Sequence, residues 1–198
     1  MAVVDPYFDE AIGDLRNLLG AKSSKELKEI EPQIVFANEL EIESISIPRT
    51  NDLAELLLIQ AQLFRGVYDW AGQTRTVDIQ KNAEGAAFFL PFSKISDAAS
   101  YVFAELAHEK YIRGLAKKEF VGRFAYFYDQ LNYIHPFREG NGRAQRVFWG
   151  RIAKDAGYEI DWSLIVGNEN DEASRAAAED MDRSKLEAMF AKIVRAPQ

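Results

Sequence analysis

Cysteine is absent from the 198 residues, and there are only two histidines. The first absence excludes disulfide staples and thiolate metal sites. The second excludes a zinc centre built from several imidazoles. No apolar run approaches the ~20 residues needed to span a bilayer. The opening Met1-Ala2-Val3-Val4-Asp5-Pro6 lacks the charged-then-apolar order of a secretory signal. A basic excess is lacking too: the formal net charge is −7, which disfavours direct nucleic-acid binding yet leaves room for a local anion site. Internal repeats and low-complexity linkers are also missing. The expectation is a cytoplasmic protein that contacts neither membrane nor nucleic acid, although export without a cleaved signal would leave no trace here.

What is present is a chain 47% hydrophobic and 12% aromatic, sufficient for a real core. Helical spacing of apolar residues runs from Leu53 to Val67, Ser96 to Glu109, Phe120 to Ile134, Gly142 to Ala156 and Ser184 to Val194. Phe120, Phe124, Phe127, Leu131 and Ile134 fall on one stripe, the pattern of a central buried helix. One stretch differs. Thr74 to Ile79 alternates like a strand, Asn82-Ala83-Glu84-Gly85 offers a turn, and Ala86 to Leu90 offers a second strand. The expected fold is all-α with a small β-hairpin over 74–92. Residues 1–50 read as a helical extension and 51–198 as one catalytic unit.

Chemistry concentrates in His135-Pro136-Phe137-Arg138-Glu139-Gly140-Asn141-Gly142-Arg143-Ala144-Gln145-Arg146. Pro136 disfavours helical backbone at His135, so the first helix should end near there. Gly140 and Gly142 let the backbone approach a ligand closely before a second helix begins. A glycine loop running into a helix N-terminus offers free N–H groups and a positive dipole end, suited to phosphates. Arg143 and Arg146, three apart, share a helix face and can reach one polyphosphate. Glu139 beside that site would repel phosphate unless a hard cation such as Mg²⁺ bridges them. His135 is the group suited to accept a proton near neutral pH. Each piece alone is common; the density of all of them within twelve residues is not.

This segment resembles the Fic motif, His-x-Phe-x-(Asp/Glu)-Gly-Asn-Gly-Arg-x-x-Arg, at every specified position. Leu63-Phe64-Arg65-Gly66-Val67-Tyr68-Asp69-Trp70-Ala71-Gly72-Gln73-Thr74-Arg75 resembles the stretch that precedes the family's flap hairpin. The resemblance spans roughly residues 52–194. It implies a mainly helical protein adenylyltransferase that moves AMP from ATP to a Ser, Thr or Tyr hydroxyl of a target protein. Carried over, His135 deprotonates that hydroxyl and Glu139 holds Mg²⁺. Gly140, Asn141 and Gly142 cradle phosphates through backbone N–H groups, the Asn141 side chain helping, while Arg143 neutralises phosphate charge and Arg146 holds the γ-phosphate. Phe137 anchors the loop. The flap edge Thr76-Val77-Asp78-Ile79-Gln80, with Lys81 near the site, would dock the target as an added strand. Asn168 and residues 180–184 are positional candidates for the base pocket.

Self-inhibited members carry (Ser/Thr)-x-x-x-Glu-(Gly/Asn), whose Glu pairs with the second motif arginine. No Ser or Thr of this chain has Glu four residues on. The resemblance therefore implies the subgroup in which a small separate antitoxin supplies that Glu, with Arg146 as its contact, and a toxin of a toxin–antitoxin pair. The implied targets are the ATPase subunits of DNA gyrase and topoisomerase IV. Alternatives left open are transfer of UMP or phosphocholine, and a Fic-fold nucleotide-binding or interaction module without catalysis. Removal of AMP from a target is disfavoured, because it normally needs the inhibitory Glu in the same chain.

Overall fold

A computed structural model describes residues 5–80 and 89–196. β1 (Phe8–Asp9) and β2 (Asp14–Leu15) make a short antiparallel pair ahead of α1 (Ser24–Glu41). α2 (Leu53–Leu63), α3 (Ile95–His108), α4 (Lys117–Ile134) and α5 (Asn141–Asp155) follow. β3 (Glu159–Ile160), α6 (Glu169–Asp180), α7 (Ser184–Ile193) and β4 (Val194–Arg195) close the chain, with β4 antiparallel to β3. Among the described residues, no helix is long and apolar enough to cross a membrane.

α4 is the axis of the molecule, packed by α3, α5, α6 and α7. Its expected stripe of Phe120, Phe124, Phe127, Leu131 and Ile134 is buried throughout. Phe124 meets Trp149 of α5 and Phe190 of α7 edge-on, at 5.7 and 4.8 Å between ring centroids. Such aromatic pairs add about 0.5–1.5 kcal/mol beyond burial. α2 lies along α5, and α1 lies on α2.

α2 is shorter than its apolar spacing suggests. Phe64 leaves the helical region and Gly66 takes φ +74°, so the helix stops at Leu63 instead of Val67. The spacing continues because Phe64 and Val67 still face the core from the turn that follows. α1 starts on Ser23, whose side chain accepts the Glu26 N–H at 3.2 Å, while Glu26 accepts the Lys22 N–H at 2.8 Å. Its inward stripe is Leu27, Glu31, Val35 and Asn38. The buried Asn38 amide donates to the Leu63 and Arg65 carbonyls at 2.9 and 3.0 Å, capping the end of α2.

The expected flap is described only at its base. Thr74 to Ile79 is not a regular strand, and Gln80 is a single bridge residue. The Phe89 N–H donates to the Ile79 carbonyl at 3.1 Å, so the two arms of the hairpin meet there. The turn at 82–85, Lys81 and most of the second expected strand lie outside the described residues.

Between α4 and α5 the chain reverses in six residues. His135 caps α4 in a left-handed conformation, φ +46°. Phe137 is fully buried and anchors the loop. Gly140 takes φ +83° with its backbone against the Phe64 ring; a Cβ there would lie 2.1 Å from Phe64 Cε2. Helix start and loop shape are thus set by one aromatic–glycine contact.

Two outcomes follow for stability. Asn38→Ala strands two carbonyls at the end of α2 and is expected to cost about 1–3 kcal/mol, read as a lower urea midpoint with an unchanged slope. Gly140→Ala adds roughly 1–2 kcal/mol of left-handed strain to about 1–3 kcal/mol of overpacking. Combined with Phe64→Leu, its cost should fall short of the sum of the two single changes; full additivity would contradict the contact.

Candidate active site

The loop and the first turns of α5 bring together His135, Glu139, Gly140, Asn141, Gly142, Arg143 and Arg146. The His135 ring is half-buried and stacks on Phe89 from the far arm of the flap, with centroids 3.7 Å apart and 11° between planes. Its Nδ1 lies 3.1 Å from the Asn132 carbonyl. A carbonyl oxygen only accepts, so Nδ1 carries the proton and the basic lone pair is on Nε2.

Behind the loop stands Arg75, which is buried yet charged. Its Nε donates to the His135 carbonyl at 2.9 Å, Nη1 to Val77 at 2.7 Å, and Nη2 to Ile134 at 3.3 Å and to Leu90. Its own N–H donates to the Pro136 carbonyl at 2.8 Å. Burial pushes its pKa down, opposed by Asp78 at 3.8 Å. Arg75 therefore fastens the flap base to the carbonyl end of α4. Gln60, also buried, spans the loop from the other side, donating to the Glu139 carbonyl at 3.2 Å and accepting the Gly72 N–H. From the N-terminal segment, Asp5 grips Arg138 at 2.8–2.9 Å and the Tyr7 hydroxyl accepts the Thr76 N–H at 3.1 Å.

α5 begins on Gly140 with no side-chain cap. The Gly140 N–H donates to Glu139 Oε1 at 2.7 Å. The N–H groups of the first turn thus present the positive end of the helix to an incoming anion. The Asn141 side chain does not join them. It is buried, accepts the Phe137 N–H at 2.9 Å and donates to the Phe137 carbonyl at 2.8 Å. One amide N–H and the amide oxygen are engaged on the loop backbone, so the side chain shapes the loop that leads into α5.

The two arginines stand in different surroundings. Arg143 lies over the Phe64 ring at 4.6 Å and pairs with Glu31 at 2.8 Å and Glu139 at 3.1 Å. Burial works against its charge, but hydrogen bonds and ion pairs with Glu31, then Glu139, outweigh it and raise its pKa. Arg146 is exposed, 5.9 Å from the Trp162 ring centroid, and has no carboxylate within 4 Å among the described residues. Its guanidinium comes within 4.0 Å of where a Gly142 Cβ would sit, so it overhangs the α5 N-terminus. It also lines a recess of about 200 Å³ with Trp162, Ile165, Gly167, Asn170 and Asp171. Asn168 is not among these; its amide donates to Glu172 at 2.7 Å within α6. Arg183, from the other suspected stretch, packs over Tyr126 and pairs with Asp129 at 3.7 Å.

Among the described residues, no group of three or more His, Asp or Glu could cage a metal. Glu139, 41% exposed at its side chain, is a single carboxylate at the loop rim. That suits Mg²⁺, which takes one or two carboxylates together with phosphate oxygens and waters. Glu31 and Gln60 escape motif reading, and Arg75 closes the stretch that resembles the approach to the flap without any role being assigned to it. Its further signal is a charged residue inside an alternating run, and that for Glu31 is a charged residue on an inward helix stripe.

Known proteins are similar to this chain in sequence and in fold. The protein adenylyltransferase VbhT of Bartonella schoenbuchensis is 39% identical over 175 residues, 88% of this chain and 35% of that protein. The chain thus spans about a third of that relative's length. The probable protein adenylyltransferase Fic of Salmonella typhimurium is 34% identical over 96% of this chain and 92% of its own. The BepC protein of Bartonella tribocorum, a VirB-translocated effector solved with bound AMPPNP, superposes with a TM-score of 0.87 at 25% identity, covering 97% of both chains. Residues 50–152, just over half of the sequence, match the Fic/DOC family, and the chain belongs to it.

Proposed function

We propose that the chain transfers AMP from ATP to a Ser, Thr or Tyr hydroxyl of another protein. The observation that carries this reading is an α5 N-terminus without a side-chain cap, overhung by the Arg146 guanidinium and reached by a six-residue loop that starts at His135. The names of the relatives, protein adenylyltransferase in both cases, support it, as does the AMPPNP held by the Bartonella tribocorum protein.

The target hydroxyl gives its proton to His135 Nε2 as its oxygen bonds to the α-phosphorus. The bond from that phosphorus to the bridging oxygen breaks and pyrophosphate leaves. Negative charge grows on the leaving oxygens, where the α5 N–H groups, Arg143 and Arg146 meet it. Such preorganised donors usually make the largest catalytic contribution. Mg²⁺, held by Glu139, would add charge neutralisation between phosphates. Thr76 to Gln80 would align the target backbone beside the site, and Lys81 would lie near it.

Regulation is proposed to come from outside. The chain has no (Ser/Thr)-x-x-x-Glu sequence, and Arg146 has no carboxylate of its own among the described residues. A small antitoxin that places a Glu on Arg146 would block the terminal phosphate, making this chain the toxin of a pair. The ATPase subunits of gyrase and topoisomerase IV are the proposed targets.

Incubation with α-labelled ATP, Mg²⁺ and a bacterial lysate tests this. A labelled band at the mass of those subunits is expected with wild-type protein, and none with γ-labelled ATP. His135→Ala should lower the rate by about 10²–10⁴-fold while ATP still binds. Arg146→Ala should weaken ATP binding by roughly tenfold or more. Label from γ-labelled ATP, or transfer that survives loss of His135, would overturn the reading.

A further inference from the structure

Glu31 has no part in the chemistry above, yet it is 93% buried at the inner face of α1 and points at the motif. We infer that Glu31 is a positioning residue that fixes the Arg143 guanidinium in the orientation from which it meets phosphate. This rests on the proposed assignment of Arg143 to the phosphates and deepens it.

Glu31 Oε2 accepts a hydrogen bond from Arg143 Nη1 at 2.9 Å, and Oε1 lies 2.8 Å from Nη2 as an ion-pair contact without hydrogen-bond geometry. One charge-assisted hydrogen bond and a second close charge contact hold the guanidinium and its plane in place. The Phe64 ring, 4.6 Å away, supports one face of that plane. Phe64 is the same ring that bears on Gly140, so loop and guanidinium are referenced to one surface.

A count of donors shows why a second carboxylate is needed. An arginine has five N–H groups. Glu31 takes one from Nη1, and Glu139 takes one from Nη2 at 3.1 Å. Glu139 is i−4 to Arg143 on an exposed rim, whereas Glu31 comes from another helix and is enclosed. Glu139 can therefore turn away to other work without releasing the guanidinium, because Glu31 keeps its end. The Nη2 N–H that Glu139 vacates then becomes available to phosphate. Without Glu31, Glu139 would be the sole anionic partner of Arg143, and each phosphate contact would first have to break that pair.

The test is a double-mutant cycle read by calorimetric titration of ATP with Mg²⁺ into the full chain. Arg143→Ala is expected to weaken binding by about tenfold or more, and Glu31→Gln by about tenfold. In Arg143→Ala, adding Glu31→Gln should change nothing further, because Glu31 acts only through Arg143. Glu31→Gln keeps the side-chain shape, and thermal melts of the unliganded protein confirm folding. If it does not fold, Glu31→Asp, which withdraws the charge by one methylene, takes its place in the same cycle. Unchanged affinity in Glu31→Gln beside a weakened Arg143→Ala would overturn the inference alone. Equal losses on both backgrounds would assign Glu31 a merely structural role and overturn it as well. Wild-type affinity in Arg143→Ala would overturn the phosphate assignment of Arg143, and the inference with it.

Discussion

The buried guanidinium of Arg75 is the joint on which the site depends. A charge taken out of water is costly unless it is fully hydrogen-bonded. Here the compensation comes from carbonyl oxygens: His135, Ile134, Val77 and Leu90. Two of those close α4, where the last carbonyls have no intrahelical partner and carry the negative end of the helix dipole. Pro136 supplies no N–H to the turn, so a donor from another segment is required. Arg75 meets that requirement and, by the same bonds, sets where the flap arms leave the body. The left-handed turn at His135 and the stack of Phe89 on its ring both follow from that one knot.

From this joint the polarity of the site is laid out in a gradient. At one side an imidazole is oriented by a backbone carbonyl. In the middle is the start of α5, whose first N–H is held by Glu139. Beyond it Arg143 is already balanced by carboxylates, and among the described residues Arg146 is not. The chain as a whole is acidic, with net charge −7, so nonspecific attraction of polyanions is weak. Among the described residues, attraction for phosphate is concentrated at the α5 N-terminus and the two guanidinium groups of Arg143 and Arg146. A site of this kind selects by geometry as much as by charge, because the positive groups that are not held in place are few.

Much of this was legible in the sequence. The α4 stripe of large apolar residues at helical spacing declared a central helix, and Pro136 and the two loop glycines declared its end. The chemical loop read cleanly because glycine, proline and charge each have a local backbone meaning there. α1 read poorly for a physical reason: two of its four inward residues, Glu31 and Asn38, are polar, and Pro32 interrupts its ladder. They face inward to bind Arg143 and the end of α2, contacts that no periodicity reports. α6 was illegible because its inner face is Ala173, Ser174, Ala176 and Ala177, too small to show in an apolar pattern. The bracing of Phe137 by the Asn141 side chain is not legible in the sequence either, because a polar residue in a glycine loop suggests a ligand and only its burial reveals the bonds to the loop backbone.

The residues that match the family begin at 50, but the frame of the site begins earlier. Asp5 grips Arg138, Tyr7 meets Thr76 at the flap base, and Glu31 pairs with Arg143. None of these three can perform the chemistry, and each holds a group that can contribute to it. The loop and helix start are constrained by backbone geometry, so few side chains there can vary without strain. The buttresses are constrained only by reach and charge, and a shift of α1 by a fraction of an ångström would move Arg143 while leaving His135 and the α5 N-terminus in place. Affinity for the nucleotide and the chemistry at the hydroxyl are therefore separable in this fold. The first is adjustable from the N-terminal segment, and the second is fixed by the turn between α4 and α5.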